Sequence, residues 1–203
     1  MKTELLVMLS LQDKMNTKVH PQWREQNFAF FRAAWIETAE LIDHFGYKWW
    51  KKQTPDMAQV QLEVVDIWHF GLSMLLTDDA PEAIADKIIE DLKSPVKNQG
   101  VIDASEDLAE SLLATRKFNV PVFWSLMNAS ELTFDDLFKQ YVGKNVLNFF
   151  RQDNGYKTGE YKKQWHGRED NEHLSDILAS IEEADETIAD TIYSKLSSVY
   201  ASL

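Results

Sequence analysis

Trp35-Ile-Glu-Thr-Ala-Glu40 and Val60-Gln-Leu-Glu-Val-Val-Asp-Ile-Trp-His-Phe70, joined across Gly46-Tyr-Lys-Trp-Trp-Lys-Lys52, decide how this chain is read. Residues three apart lie on one face of an α-helix. Glu37 and Glu40 therefore point one way from their helix, and Glu63 and Asp66 one way from theirs. Antiparallel packing of the two helices brings four carboxylates to one place, where they repel unless something cationic neutralises them. A hard divalent ion with oxygen ligands suits them, Mg²⁺ before Zn²⁺. Such acidic pairs are also common on solvated helix faces. Here the second pair sits in a segment that is apolar nearly all round, so the helix is buried and its acids need a partner.

Working outward, 203 residues with 44% apolar content, seven glycines and five prolines make a globular chain with one well-buried core. No cysteine is present, which excludes disulfides, thiolate nucleophiles and cysteine–zinc sites and is compatible with the cytoplasm. No apolar run approaches the roughly 20 residues of a membrane span. The opening Met1-Lys-Thr-Glu-Leu-Leu-Val-Met8 passes straight into Gln12, Asp13 and Lys14, unlike a signal peptide. A net charge of −12 argues against general nucleic-acid binding. A small anionic ligand remains possible if a metal and a local basic patch offset the field.

Periodicity predicts an amphipathic helix over 3–16, a polar connection over 17–26, and a helix over 27–45 with an apolar stripe of Phe31, Trp35, Thr38, Ile42 and Phe45. Thr54-Pro-Asp56 starts a third helix running to Leu76, with Pro55 in its first turn. Helices follow over 81–93, from Ser105, after Thr133 and over 170–200, and a short apolar piece, 119–128, starts at Pro121. No strand-like alternation and no internal repeat is visible. The expectation is one all-α domain, 1–203, a bundle built around two antiparallel acidic helices. Its surplus of apolar helix faces points to a homodimer.

Gln12 and Asn16 lie one turn apart, and their amides either read a pyrimidine edge or bridge helices, the commoner use. Trp49 and Trp50 among lysines suit a base and a phosphate, or simply anchor a loop. Between Arg151 and Arg168 there are five basic residues against two acidic ones, with glycines at 155, 159 and 167 for tight turns, as in a phosphate site or a plain surface loop. His69 reads as a core histidine with a satisfied hydrogen bond.

Taken together, Leu11-Gln-Asp-Lys-Met-Asn16, the acidic pairs, Gly46-Tyr-Lys-Trp-Trp-Lys51, Phe150-Arg-Gln-Asp-Asn-Gly-Tyr-Lys-Thr-Gly-Glu-Tyr161 and Glu169-Asp-Asn171 resemble the dimeric all-α dUTPases of the all-α NTP pyrophosphatase superfamily. The resemblance spans about 11 to 171. It implies Mg²⁺-dependent hydrolysis of dUTP, or of dUDP, to dUMP. Glu37, Glu40, Glu63 and Asp66 would be the metal ligands, with Glu37 also acting on the water. Gln12, Asn16, Trp49 and Trp50 would meet the base; Lys48, Arg151, Tyr156, Lys157, Tyr161 and Asn171 would meet phosphates. One departure is Ile36, where the superfamily often carries a further acid.

Three other readings stay open: a related enzyme acting on dCTP or a broader range, a non-catalytic helical binding protein, and a di-iron carboxylate bundle. The last would use Asp66-x-x-His69 and Asp170-x-x-His173.

Overall fold

The computed structural model describes residues 1–181 and 188–203. Among them are nine α-helices and one minimal hairpin, so the fold is all-α. Backbone packing divides the chain into two compact units, Met1–Leu137 and Phe138–Leu203.

The first unit comprises α1 (Lys2–Val19), a 3₁₀ turn (Trp23–Gln26), α2 (Phe30–Phe45), α3 (Met57–Leu75), α4 (Pro81–Asp91), α5 (Val101–Thr115) and α6 (Val120–Ala129). α7 (Phe134–Asp153) opens at its end. α3 is the spine. Asp56 caps it, its Oδ1 accepting from the Gln59 N–H at 3.3 Å. Val60, Val64, Val65, Ile67 and Leu72 are buried along it, and Trp68 stacks on Phe123 at 4.9 Å and 17°. α2 packs most extensively on α3, then on α5. The pair is antiparallel: the Asp56 N–H that precedes α3 donates to the His44 carbonyl near the end of α2 at 3.0 Å.

Several boundaries differ from the sequence reading. α1 runs a turn further, and the connection after it carries the buried Trp23, whose Nε1–H donates to Asp13 at 3.1 Å. Pro55 precedes the cap of α3 instead of sitting in its first turn. α5 starts after Gly100, and Ser105 lies a full turn inside, donating to the Val101 carbonyl at 2.7 Å. A buried serine can satisfy itself on its own helix, so it is no start signal by itself. On α2 the buried stripe is Ala34, Thr38 and Leu41; Phe31, Trp35, Ile42 and Phe45 are only half buried.

The second unit holds most of α7, the hairpin strands β1 (Gln164–Trp165) and β2 (Arg168–Glu169), α8 (Asp170–Ala179) and α9 (Ile188–Tyr200). Periodicity could not reveal strands of two residues. Their turn requires left-handed backbone at His166 (φ 50°) and Gly167 (φ 81°), the geometry of a tight hairpin. The helix expected over 170–200 ends at Ala179 and resumes by Ile188; positions 182–187 of it lie outside the described residues.

At Gly71 on α3 an added Cβ would sit 2.5 Å from the Phe118 ring. Alanine favours a helix over glycine by about 1 kcal/mol, but overpacking a filled core costs about 1–3 kcal/mol. Gly71→Ala is therefore expected to lower the urea midpoint at unchanged m-value; a raised midpoint would show that the Phe118 ring yields.

Candidate active site

Across the α2–α3 pair, Glu37, Glu63 and Asp66 each offer a carboxylate oxygen within 4.8 Å of the others. Helical spacing sets Glu63 and Asp66 on one face, and the antiparallel packing brings Glu37 to them. Glu63 is buried, Glu37 and Asp66 half buried. Glu40, expected as a fourth member, is exposed and falls outside this group of three.

Burial pushes the Glu37 carboxyl up to about 8, with the charges of Asp66 and Glu63, a hydrogen bond with Glu63 and the charge of Glu40 adding to the rise. The cluster is thus short of positive charge, and a proton on Glu37 relieves it. His44 Nε2 stands 3.5 Å from Glu63 Oε1. The sequence reading missed His44, although it lies seven residues beyond Glu37, on the same helix face. Three convergent oxygens in a partly dry site fit a hard cation. Among the described residues this is the group of acids and histidines that comes together in such a way.

Gln12 and Asn16 are buried and bridge α1 to α3. Gln12 Nε2 donates to Asn16 Oδ1 and Ser73 Oγ, both at 3.0 Å; Asn16 Nδ2 donates to Ser73 Oγ at 3.0 Å. Ser73 Oγ donates to the His69 carbonyl at 3.1 Å, and His69 Nδ1 pairs with Gln12 Oε1 at 2.9 Å. With the amide so oriented, Nδ1 carries the hydrogen. Ser73 was missed; its four-residue offset from His69 was the available signal. The nest sits seven residues along α3 from Asp66, about 10 Å at helical rise.

Between α2 and α3 the aromatic loop stands out of the unit. Trp49 is 90% exposed and meets Trp50 edge-on at 5.4 Å. Its base is braced by the Lys48 N–H donating to Gln53 Oε1 at 2.7 Å, and by Gly46, whose φ of 96° favours glycine. Lys48 Nζ pairs with Asp43 at 3.1 Å.

The second unit has its own charged centre. Arg151 grips the fully buried Asp170 with two bonds, Nε to Oδ2 and Nη2 to Oδ1, each 2.8 Å. The Tyr161 hydroxyl donates to Asp170 Oδ2 at 2.8 Å. Burial works to raise the Asp170 carboxyl, but Arg151 and Tyr161 outweigh it and hold it below the usual range. Asn171 Oδ1 accepts from Lys144 at 3.2 Å and from Arg151 at 3.4 Å. Tyr156 lies under the Arg151 guanidinium, 6.0 Å from ring centre, and Lys157 is exposed. Lys144 was not singled out, and Asp170 was weighed as a ligand in the di-iron reading and within Glu169-Asp-Asn171, but not as the partner of Arg151; a pair 19 residues apart leaves no periodic signal.

The di-iron reading fails on these partners. His69 belongs to the amide nest, and His173 Nε2 pairs with the Trp165 carbonyl at 2.9 Å while its ring stacks on Trp165. Asp170 is taken by Arg151.

Among the described residues, no helix is long and apolar enough to cross a membrane. The sequence matches a family described as dUTPase over residues 4–156. No match is found among curated proteins.

Between the ordinary glutamate value of 4.5 and about 8, the folded metal-free chain binds more protons at Glu37 than the unfolded chain. This contribution to stability is full below the lower value and is lost as pH rises through the upper one. In EDTA, Tm should fall across that window, and Glu37→Gln, which cannot ionise, should flatten the fall. An identical slope in both proteins would remove Glu37 as the proton holder.

Proposed function

This chain belongs to the dUTPase family and is a dUTP diphosphatase, and from that premise we propose Mg²⁺-dependent hydrolysis of dUTP to dUMP and pyrophosphate. The observation that carries the reading is the convergence of Glu37, Glu63 and Asp66 about two helical turns from a buried amide nest. That separation, about 10 Å along α3, suits a nucleotide with its phosphates at the acids and its base at the amides.

Glu37, Glu63 and Asp66, with Glu40 at the edge, would hold the ion, which when bound neutralises phosphate charge and acidifies water. With a divalent ion offsetting the charges of Asp66 and Glu63, which add to the effect of burial on its carboxyl, Glu37 would more readily be a carboxylate. It then accepts a proton from the attacking water as the new O–P bond forms and the anhydride P–O bond breaks, with pyrophosphate leaving. Asn16, whose Nδ2 has a second hydrogen to offer, and Gln12 read the base. Uracil presents an N3–H between two carbonyls, which an amide matches by accepting one bond and donating another. Trp49 and Trp50 close over the nucleoside. Lys48, Arg151, Tyr156, Lys157, Tyr161 and Asn171 contact phosphates, and dUDP is a second candidate substrate. A related site could favour dCTP, since a rotated amide serves cytosine.

The family match crosses the division at residue 137, which supports reading 1–203 as one dUTPase-like domain. The lack of cysteine suits a cytoplasmic setting. Exposed Ile36 and Leu113, with half-buried Phe31 and Trp35, are the apolar surface a homodimer would cover. Sedimentation at micromolar concentration is expected to give a species near twice 23.5 kDa; a lone monomer would remove the dimer.

A pyrophosphate-release assay over the common nucleoside triphosphates, with and without Mg²⁺, tests the reaction. Turnover should require the metal and favour dUTP. Glu63→Gln should abolish turnover while the protein stays folded, because it takes one charge from the cation site; wild-type rates in that variant at saturating Mg²⁺ would take the acidic cluster out of the mechanism. Asn16→Ala should narrow the ratio of kcat/KM between dUTP and dCTP, by up to about 10⁴-fold if the amides supply all the discrimination. An unchanged ratio would make the nest purely structural.

A further inference from the structure

We propose that the C-terminal helix α9 is a positioning element for phosphate binding, acting through Tyr200 on Tyr161, Asp170 and finally Arg151. The inference rests on the reading of Arg151 as a phosphate contact. It concerns a helix beyond the segment matched by the family, 4–156.

The links are continuous within the second unit. Tyr200 lies flat on Tyr161, with ring centres 5.4 Å apart and planes at 14°. The Tyr200 hydroxyl accepts from the Lys162 N–H at 3.2 Å, next in the chain to Tyr161. The Tyr161 hydroxyl donates to Asp170 Oδ2, the same oxygen that accepts from Arg151 Nε, each at 2.8 Å. α9 also reaches the segment that leads into Arg151. Tyr200 and Tyr193 meet Phe150 edge-on at 5.4 and 5.3 Å, and the Tyr193 hydroxyl donates to Asp153 Oδ2 at 3.0 Å. The helix therefore fixes both sides of the loop whose ends meet in the Arg151–Asp170 pair.

The hydrogen-bond inventory of Arg151 gives this a functional edge. A guanidinium has five N–H groups. Two go to Asp170, one from Nη2 to Asn171 at 3.4 Å and one from Nη1 to Asn148 at 3.2 Å. The remaining N–H on Nη1 is the one to offer a phosphate oxygen. A single donor works only if the guanidinium is held still; Asp170 holds it, and Tyr161 is the side chain that, with the Asn171 backbone N–H, fixes the Asp170 carboxylate. Without the Tyr200 ring, Tyr161 loses the parallel ring against its face, keeps the edge-on and tilted contacts of Phe150, Trp165 and Tyr156, and its hydroxyl is aimed less tightly at Asp170. Ground state and transition state would suffer alike, so the loss should appear in KM and not in kcat.

The test is steady-state dUTP hydrolysis at saturating Mg²⁺ by the wild-type chain, Tyr200→Phe, Tyr200→Leu, Arg151→Ala, and the Tyr200→Leu/Arg151→Ala double variant, each checked for folding by circular dichroism. Tyr200→Leu should raise KM about tenfold with kcat within about threefold, and Tyr200→Phe, which keeps the stack, should stay within about twofold of wild type. In the Arg151→Ala background, Tyr200→Leu should add less than about twofold, since the two act as one unit. Should Tyr200→Leu fail to fold, Tyr200→Met, which fills the space without a flat ring to stack on Tyr161, is expected to raise KM in the same Arg151-dependent way. An impaired Arg151→Ala together with a wild-type Tyr200→Leu overturns the positioning role alone. So does a Tyr200→Leu effect of equal size with and without Arg151. A wild-type KM in Arg151→Ala overturns the phosphate reading itself.

Discussion

Three carboxylates held together by the packing of two helices set the terms for the first unit. Glu37, Glu63 and Asp66 repel one another. What keeps them in place is the apolar burial of α3, Val60, Val64, Ile67 and Leu72 on its core side, and its antiparallel partnership with α2. The hydrophobic contacts of the pair bear the electrostatic cost. The result is a site that takes up positive charge, a proton on Glu37 when alone and a divalent ion in the proposed reaction.

The second unit resolves the same problem internally. Asp170 is more deeply buried than any of the three acids, yet it carries its own counter-charge, Arg151, in a two-bond grip, and a third donor in Tyr161. Its carboxyl is consequently held down where that of Glu37 is pushed up. A buried acid is therefore not diagnostic by itself. The balance of partners decides whether it structures the protein or leaves a charge for a ligand to meet.

Polar satisfaction is also what ties α1 to α3. The Gln12, Asn16, Ser73 and His69 groups share one network of hydrogen bonds in the interior. Such a nest is costly to break and specific in shape. It serves packing as it stands, and the same amides are the groups that the proposed base recognition would use.

The sequence alone determined the helical class, the two acidic helices and the spacing of Glu63 and Asp66, because the 3.6-residue period is local and needs no partner. Its motifs also pointed to the family that the match over 4–156 establishes. Boundaries fared less well where a tertiary choice intervened: Ser105 was absorbed into α5, and the burial stripe of α2 turned toward Ala34, Thr38 and Leu41. Which residues meet across elements was decided only by the tertiary structure. Glu40 stands outside the carboxylate cluster while His44 joins it, because the relative rotation of α2 and α3 is set by how their side chains interlock and not by either helix's own period. Ser73 and Asp170 acquire their roles in the same way, from partners distant in the chain that no local pattern can announce.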